Sequence, residues 1–294
     1  MKIHMMENDN LRIGIADQGA ELVSIYDKSK ERELVWQADP AFWNRHAPVL
    51  FPNVGQYYGK HFLHHGTYYA EGQHGFARDM EFVCVEESKT TLTHRLISSG
   101  ETRKRYPFEF CFEITHTLKE NTLTVGWKVR NTGDETMYFT IGGHPAFNVP
   151  PAFDAAFEDC SLLFEKDLEE LHYILLDTDT GTACPEKVCS LPLSQHRYPL
   201  KKDMFDKDAL VFDGSQISYV ALSGPDGRPY IAVKAEGFPN FGIWSKPGAP
   251  YVCLEPWCGR CDNRGFEGEL SEKEGIIRLE AGKDFCKSYD IIVY

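Results

Sequence analysis

Phe108-Glu109-Phe110-Cys111-Phe112-Glu113-Ile114-Thr115-His116-Thr117-Leu118 alternates apolar with polar or small side chains. Lys119-Glu120-Asn121-Thr122 then turns the chain, and Leu123, Val125, Trp127 and Val129 alternate back. A period of two places one set of side chains on a single face, so this stretch predicts an antiparallel hairpin with one buried side. Working outward, shorter runs of the same kind occur at 11–15, 21–26 and 33–36, and again at 219–222, 230–233, 241–244 and 289–293. Pro225-Asp226-Gly227 marks a turn among them. Helical periods are confined to a turn or two near 40–44 and 201–208, and no βαβ unit repeats. These runs predict an all-β protein: one large antiparallel β-sandwich with few short helices, a single domain over 1–294. Pro150-Pro151-Ala152-Phe153 is expected as a loop at the rim of a cleft.

The 294 residues, 42% hydrophobic and 13% aromatic, are ample for a core of that size. A formal charge of −13 repels phosphate backbones and anionic lipid, so neither nucleic acid nor a membrane surface is an expected partner. The first residues hold no apolar run of signal-peptide length, and no run of about 18 apolar residues occurs anywhere. The expectation is a cytoplasmic protein. Nine cysteines, scattered through probable strands as in Val83-Cys84-Val85 and Phe110-Cys111-Phe112, fit reduced thiols.

Three stretches concentrate chemistry. Ile141-Gly142-Gly143-His144-Pro145-Ala146-Phe147-Asn148-Val149 sets a histidine beside paired glycines and a proline. Glycine permits a close approach that a Cβ blocks, and proline stiffens the chain. Gln73-His74-Gly75-Phe76-Ala77-Arg78 and Leu254-Glu255-Pro256-Trp257 are the other two. Taken singly, His144 reads as a packing residue, His74 as a turn residue and Glu255 as a solvated carboxylate; their weight lies in their company. Arg78 follows His74 by four positions, which in an extended segment puts both on one face. Trp257-Cys258-Gly259-Arg260-Cys261 has the spacing of a thiol redox centre but lies near the end of the chain with no helix to follow. A zinc site there needs two further ligands. His61, His64 and His65 crowd one segment, yet it reads as a polar loop without neighbouring carboxylates, so no metal is expected.

His74-Gly75-Phe76-Ala77-Arg78, Gly142-Gly143-His144-Pro145-Ala146-Phe147-Asn148 and Glu255-Pro256-Trp257, in this order and spacing, resemble the aldose 1-epimerase (galactose mutarotase) family, and within it the LacX-like branch. Val49-Leu50-Phe51-Pro52-Asn53-Val54-Gly55 and Lys207-Asp208-Ala209-Leu210-Val211-Phe212 extend the resemblance, which runs from about Leu11 to the C-terminus. It implies a large β-sandwich with an open sugar cleft, and interconversion of the α and β anomers of a hexose with no cofactor and no metal. It further implies Glu255 as base at the anomeric hydroxyl and His144 as acid at the ring oxygen, roles reversing on reclosure. His74 would hydrogen-bond near the ring oxygen. Asp208, or its neighbour Asp206, would accept bonds from sugar hydroxyls, with Arg78, Asn148 and Trp257 as further substrate contacts and Trp244 and Phe147 as apolar faces. The residue types suit the task, because ring opening needs a base and an acid at one sugar, and a buried carboxylate and an imidazole both titrate near neutrality.

Gln56 departs from the branch, which commonly carries arginine there, and leaves the substrate open. A hexose 6-phosphate epimerase would need arginines to converge, with Arg45, Arg78 and Arg260 as candidates. A non-catalytic carbohydrate-binding protein is the other alternative, against which a matched acid and base argues. Monomer and homodimer are both compatible with the sequence. The decisive expectation is spatial: His144 and Glu255 should face each other across a gap the width of a pyranose.

Overall fold

The hairpin forms where the alternation predicts it. In the computed structural model, which describes residues 2–150, 155–165 and 168–294, strands Phe110–Lys119 and Thr122–Asn131 pair antiparallel. Phe112 lies opposite Val129, Ile114 opposite Trp127 and Leu118 opposite Leu123. Such apolar cross-strand pairs stabilise a sheet wherever one face is buried. The turn is the two residues Glu120 and Asn121, and Glu120 takes a φ of 53°. A tight hairpin needs a positive φ at its first central position.

Around this hairpin grows a nine-stranded sheet, in the order Arg197–Pro199, Ser161–Phe164, Tyr219–Ser223, Pro229–Lys234, Asp284–Val293, Thr122–Asn131, Phe110–Lys119, Thr91–Ile97, Val83–Glu87. Facing it is an eight-stranded sheet that runs Thr182–Pro192, Glu170–Asp177, Leu210–Phe212, Asn240–Trp244, Tyr251–Cys258, Ile141–Gly143, Val49–Leu50, with Ala146–Asn148 also paired to Tyr251–Cys258. The inner faces share one core: Phe110, Phe112, Ile114 and Trp127 from the first sheet meet Ile141, Phe241, Val252 and Leu254 from the second. This is a large antiparallel β-sandwich. A four-stranded sheet of Ile3–Glu7, Leu11–Ala16, Leu22–Asp27 and Arg32–Glu33 adds Met6, Ile13 and Ile25 to the same core. No helix among the described residues is long and apolar enough to cross a membrane.

Three local readings differ. Gly100–Arg105 is an α-helix too short to show a period in sequence. It is held by Ser99, whose hydroxyl accepts from the Thr102 N–H while the Thr102 hydroxyl accepts from the Ser99 N–H. The stretches at 40–44 and 201–208 turn without becoming helical, and of 33–36 only Glu33 lies in a strand, Val35 making a single bridge to Phe147. The expected rim loop lies outside the described residues at 151–153.

Register in Tyr251–Cys258 positions the cleft. Val252 and Leu254 enter the main core, so Tyr251, Cys253, Glu255 and Trp257 face the opposite side of the sheet. One residue of slip would exchange the two sets.

Candidate active site

His144 follows directly on the strand Ile141–Gly143, which pairs with Tyr251–Cys258 so that Gly142 lies beside Trp257. This neighbouring register brings His144 Nε2 to 3.3 Å from Glu255 Oε2. Both side chains are almost wholly buried, yet both line one cavity of about 250 Å³, together with His74, Arg78, Asp208 and Trp257. The expected separation of a pyranose width is therefore wrong: imidazole and carboxylate touch. Chemistry does not require the gap, since the anomeric hydroxyl and the ring oxygen are bonded to the same carbon, and adjacent groups suit adjacent oxygens.

His74 comes from a turn and not from a strand. It sits at φ 67° with Gly75 at φ 70°, and a Cβ on Gly75 would lie 2.3 Å from the Phe51 carbonyl oxygen. Glycine alone lets the chain pass there. The His74 N–H donates to the Gly55 carbonyl, and the Gly55 N–H donates back to His74 Nδ1 at 3.0 Å. With Nδ1 held as acceptor, the neutral ring carries its proton on Nε2. The ring stands edge-on to that of His144, with centroids 5.4 Å apart. Arg78 enters the cavity wall from the short 3-10 turn Ala77–Asp79, so a turn, and not a shared strand face, unites it with His74.

The indole of Trp257 lies flat across neighbouring strands. A Cβ on Gly142 would approach Trp257 Cδ1 to 2.4 Å, and one on Gly242 its Cζ2 to 2.3 Å. Two glycines thus make space for one aromatic floor. Trp43 and Trp244 enclose His144 from other sides, at centroid distances of 4.9 and 5.8 Å. Trp43 lines the cavity without having been marked in the sequence, and so does Gln73, the first residue of the stretch that carries His74 and Arg78. Trp43 sits in the turn after Asp39, where no period announces which way a side chain points.

Of the two candidate aspartates, Asp208, at a φ of 74°, lines the cavity as well as a neighbouring hollow, whereas Asp206 lines that hollow alone. Asn148 does not reach the cavity: its amide donates to the Glu33 and Val35 carbonyls. The register explains this, because Asn148 pairs with Tyr251, four residues and about 13 Å along the strand from Glu255. Phe147 packs in the main core. Of the three arginines, Arg45 and Arg78 share Asp79, at 2.8 and 4.0 Å, but only Arg78 lines the cavity, and buried Arg260 is taken up by Asp213 and Asn263. Gln56, in the branch's arginine position, is buried. The Cys258 and Cys261 thiols are free and buried, and burial pushes them up to about 12 and about 11, which holds them protonated. His64 and His65 sit on a hairpin and, contrary to expectation, have a carboxylate close by: Glu135 lies 3.7 Å from His64 Nε2.

Burial dominates the electrostatics. It raises Glu255 well above the usual carboxylate range, with the Trp257 indole opposing and Asp208 adding to the shift. It pushes His144 down to about 3, against its own backbone carbonyl and with help from Arg78 and Arg45. His74 is lowered well below the ordinary imidazole value by burial, then by His144 and the two arginines. Arg78 falls to about 10, through burial and Arg45, and remains a cation at neutral pH.

The model of the aldose 1-epimerase family matches residues 1–283. Protein LacX of Lactococcus lactis subsp. lactis is 28% identical over 295 aligned positions, covering 98% of each chain. A galactose mutarotase related enzyme from Lactobacillus acidophilus is 33% identical, with a TM-score of 0.94 over 100% of this chain and 97% of that one. A galactose mutarotase-like protein from Lactobacillus casei is 31% identical, with a TM-score of 0.91 over all of both chains. The matched span takes in every strand that builds the cleft, and the chain belongs to the aldose 1-epimerase family, whose activity is that of sugar epimerases and mutarotases.

Proposed function

We propose that the cavity interconverts the α and β anomers of a free aldohexose by acid–base ring opening and reclosure, with no cofactor. The observation that carries this reading is the 3.3 Å contact of His144 and Glu255 inside a cavity of single-sugar size. With His144 pushed down and Glu255 pushed up, the pair holds one proton over a wide range of pH. Moving that proton from carboxyl to imidazole arms Glu255 as base and His144 as acid. Glu255 then takes the proton of the anomeric hydroxyl while His144 gives its own to the ring oxygen. The bond from C1 to the ring oxygen breaks, its electrons go to that oxygen, and a C1 carbonyl forms. Rotation about C1–C2 and the reverse transfers close the other anomer. The pair ends with the single proton it began with.

His74, neutral and with Nε2–H free to donate, stabilises the developing charge at the ring oxygen. Trp257 offers a flat apolar floor, and Asp208 and Arg78 offer partners to hydroxyls. Among the described residues that line the cavity, Arg78 is the sole Lys or Arg, which favours a free sugar over a sugar phosphate. One core drawing on strands from both ends supports action of 1–294 as a single domain.

Exchange NMR on glucose, galactose and glucose 6-phosphate tests the reading. Glu255→Gln and His144→Asn should each slow anomer exchange by at least about 100-fold with sugar binding still measurable. Wild-type rates in both variants would overturn it. A preference for glucose 6-phosphate would overturn the choice of a free sugar.

A further inference from the structure

A second buried group of chemically capable side chains lies away from the cleft, where the strand Ile3–Glu7 of the four-stranded sheet contacts Thr91–Ile97 near one end of the nine-stranded sheet. His4, Cys84 and His94 each offer one donor atom, and all three atoms lie within 4.8 Å of one another. Asp17 Oδ1 stands 3.0 Å from His4 Nε2 and 3.3 Å from His94 Nε2. The edge of a tetrahedron with metal–ligand bonds of about 2.0 Å is about 3.3 Å, so each of these two contacts has the length of one edge around a cation, with the Cys84 thiol close to both imidazoles. None of these residues lines the catalytic cavity.

Four further observations point the same way. His94 is fully buried, its Nδ1 has no hydrogen-bond partner and its Nε2 meets only Asp17 Oδ1 at 3.3 Å, an under-satisfied polar group of the kind native interiors avoid. Glu87 Oε2 lies 3.0 Å from His4 Nδ1, where an outer carboxylate holds a ligating imidazole with its other nitrogen toward the metal. A β-bulge between Cys84 and Glu86 interrupts the edge strand Val83–Glu87, a distortion that re-aims side chains next to functional sites. An open hollow walled by Lys2, His4, Asp17, Glu81 and Cys84 connects the group to solvent and gives an ion a way in.

We propose that His4, Cys84, His94 and Asp17 form a tetrahedral site for a zinc-class divalent cation that ties the N-terminal sheet to the nine-stranded sheet. Two imidazoles, a thiolate and a carboxylate are a donor set suited to zinc or cobalt and poorly suited to calcium or magnesium. Binding as a thiolate releases the Cys84 proton to solvent.

Cobalt is the direct probe. Full-length protein freed of metal by a chelator is titrated with Co²⁺ and followed by absorbance. The expected result is a thiolate-to-cobalt charge-transfer band that saturates at one equivalent and is displaced by Zn²⁺. Cys84→Ser should abolish the band. His94→Asn should weaken binding beyond the roughly 10–100-fold that outer-shell partners cost. Cys84 is half-buried, and wild-type anomer exchange in Cys84→Ser would report that the fold is intact. Zn²⁺ should raise the melting temperature of the wild type and leave that of Cys84→Ser unmoved. Absence of the band at one equivalent, or its persistence in Cys84→Ser, overturns the proposal; in the second case another of the nine cysteines is the ligand.

Discussion

Two sets of buried histidines in this molecule use the same ring for opposite ends. In the cleft, His74 stands edge-on to His144, Glu255 touches His144, and all three line the cavity with Asp208, while Trp43 and Trp244 enclose His144. Beneath the N-terminal sheet, His4 and His94 are packed against Asp17, with Glu87 and Cys84 alongside. The first arrangement leaves imidazole and carboxylate atoms facing an open cavity. The second points donors at one another, at distances that suit a small cation. Burial lowers the pKa of His74, His144 and His94 alike, so a perturbed pKa does not distinguish the two uses. What the nitrogens face does.

His74 gives the largest effect by which the contrast can be broken. Its Nδ1 is occupied by the Gly55 N–H, which fixes a neutral donor at Nε2, whereas both nitrogens of His4 have carboxylate oxygens at 3.0 Å. His74→Ala should lower kcat by about 100-fold, the usual loss when one preorganised donor to a developing oxyanion is removed. His74→Gln, which restores an N–H donor, should recover part of that loss, with KM changed less than kcat in both. A loss confined to KM would make His74 a binding residue only.

The cleft was legible in the sequence and the second cluster was not, for a physical reason. His74, His144 and Glu255 each sit in a short distinctive run of glycine, proline and aromatic residues, because the backbone near the cleft must bend or approach closely. Gly75 against Phe51 and Gly142 beneath Trp257 are the cases in point. His4, Asp17, Cys84 and His94 lie in ordinary strands and turns and meet only through tertiary packing. The sandwich was readable from the strict alternation of 108–129. Trp43 was not, because a turn has no period to say where its side chain points. Asn148 was misplaced because membership of a motif carries no register, and the pairing with Tyr251 decides its position.

The pH dependence of the cleft should be smaller in amplitude than the His74 effect and opposite to that of an exposed His–Glu pair. With ordinary values the imidazole would be charged below about 6.5. Here His144 takes a second proton only near 3, so activity should persist down to about pH 4 and fail in alkali as Glu255 loses its proton, above the usual carboxylate range. Stability moves the other way. The unfolded chain protonates His74 and His144 from about 6.5 downward while the fold holds them neutral, so acid weakens the fold, and rates should be compared only where circular dichroism is unchanged. An acid limb near 6.5 in a folded enzyme would show that His144 is not held neutral.

The smallest kinetic effect belongs to Asn148, and it sharpens the boundary of the site. The amide of Asn148 donates to the Glu33 and Val35 carbonyls and the Tyr230 hydroxyl donates to the Asn148 carbonyl, so Asn148 ties the cleft sheet to the N-terminal segment. Asn148→Ala strips two carbonyls of their donor and should cost about 1–3 kcal/mol of stability in chemical denaturation. The rate of anomer exchange and the KM for sugar should stay within about twofold of wild type, since the side chain points away from the cavity and Glu255 stands about 13 Å further along the neighbouring strand. A tenfold rise in KM with stability unchanged would return Asn148 to the substrate and would mean that the sugar extends along the sheet well past Cys253.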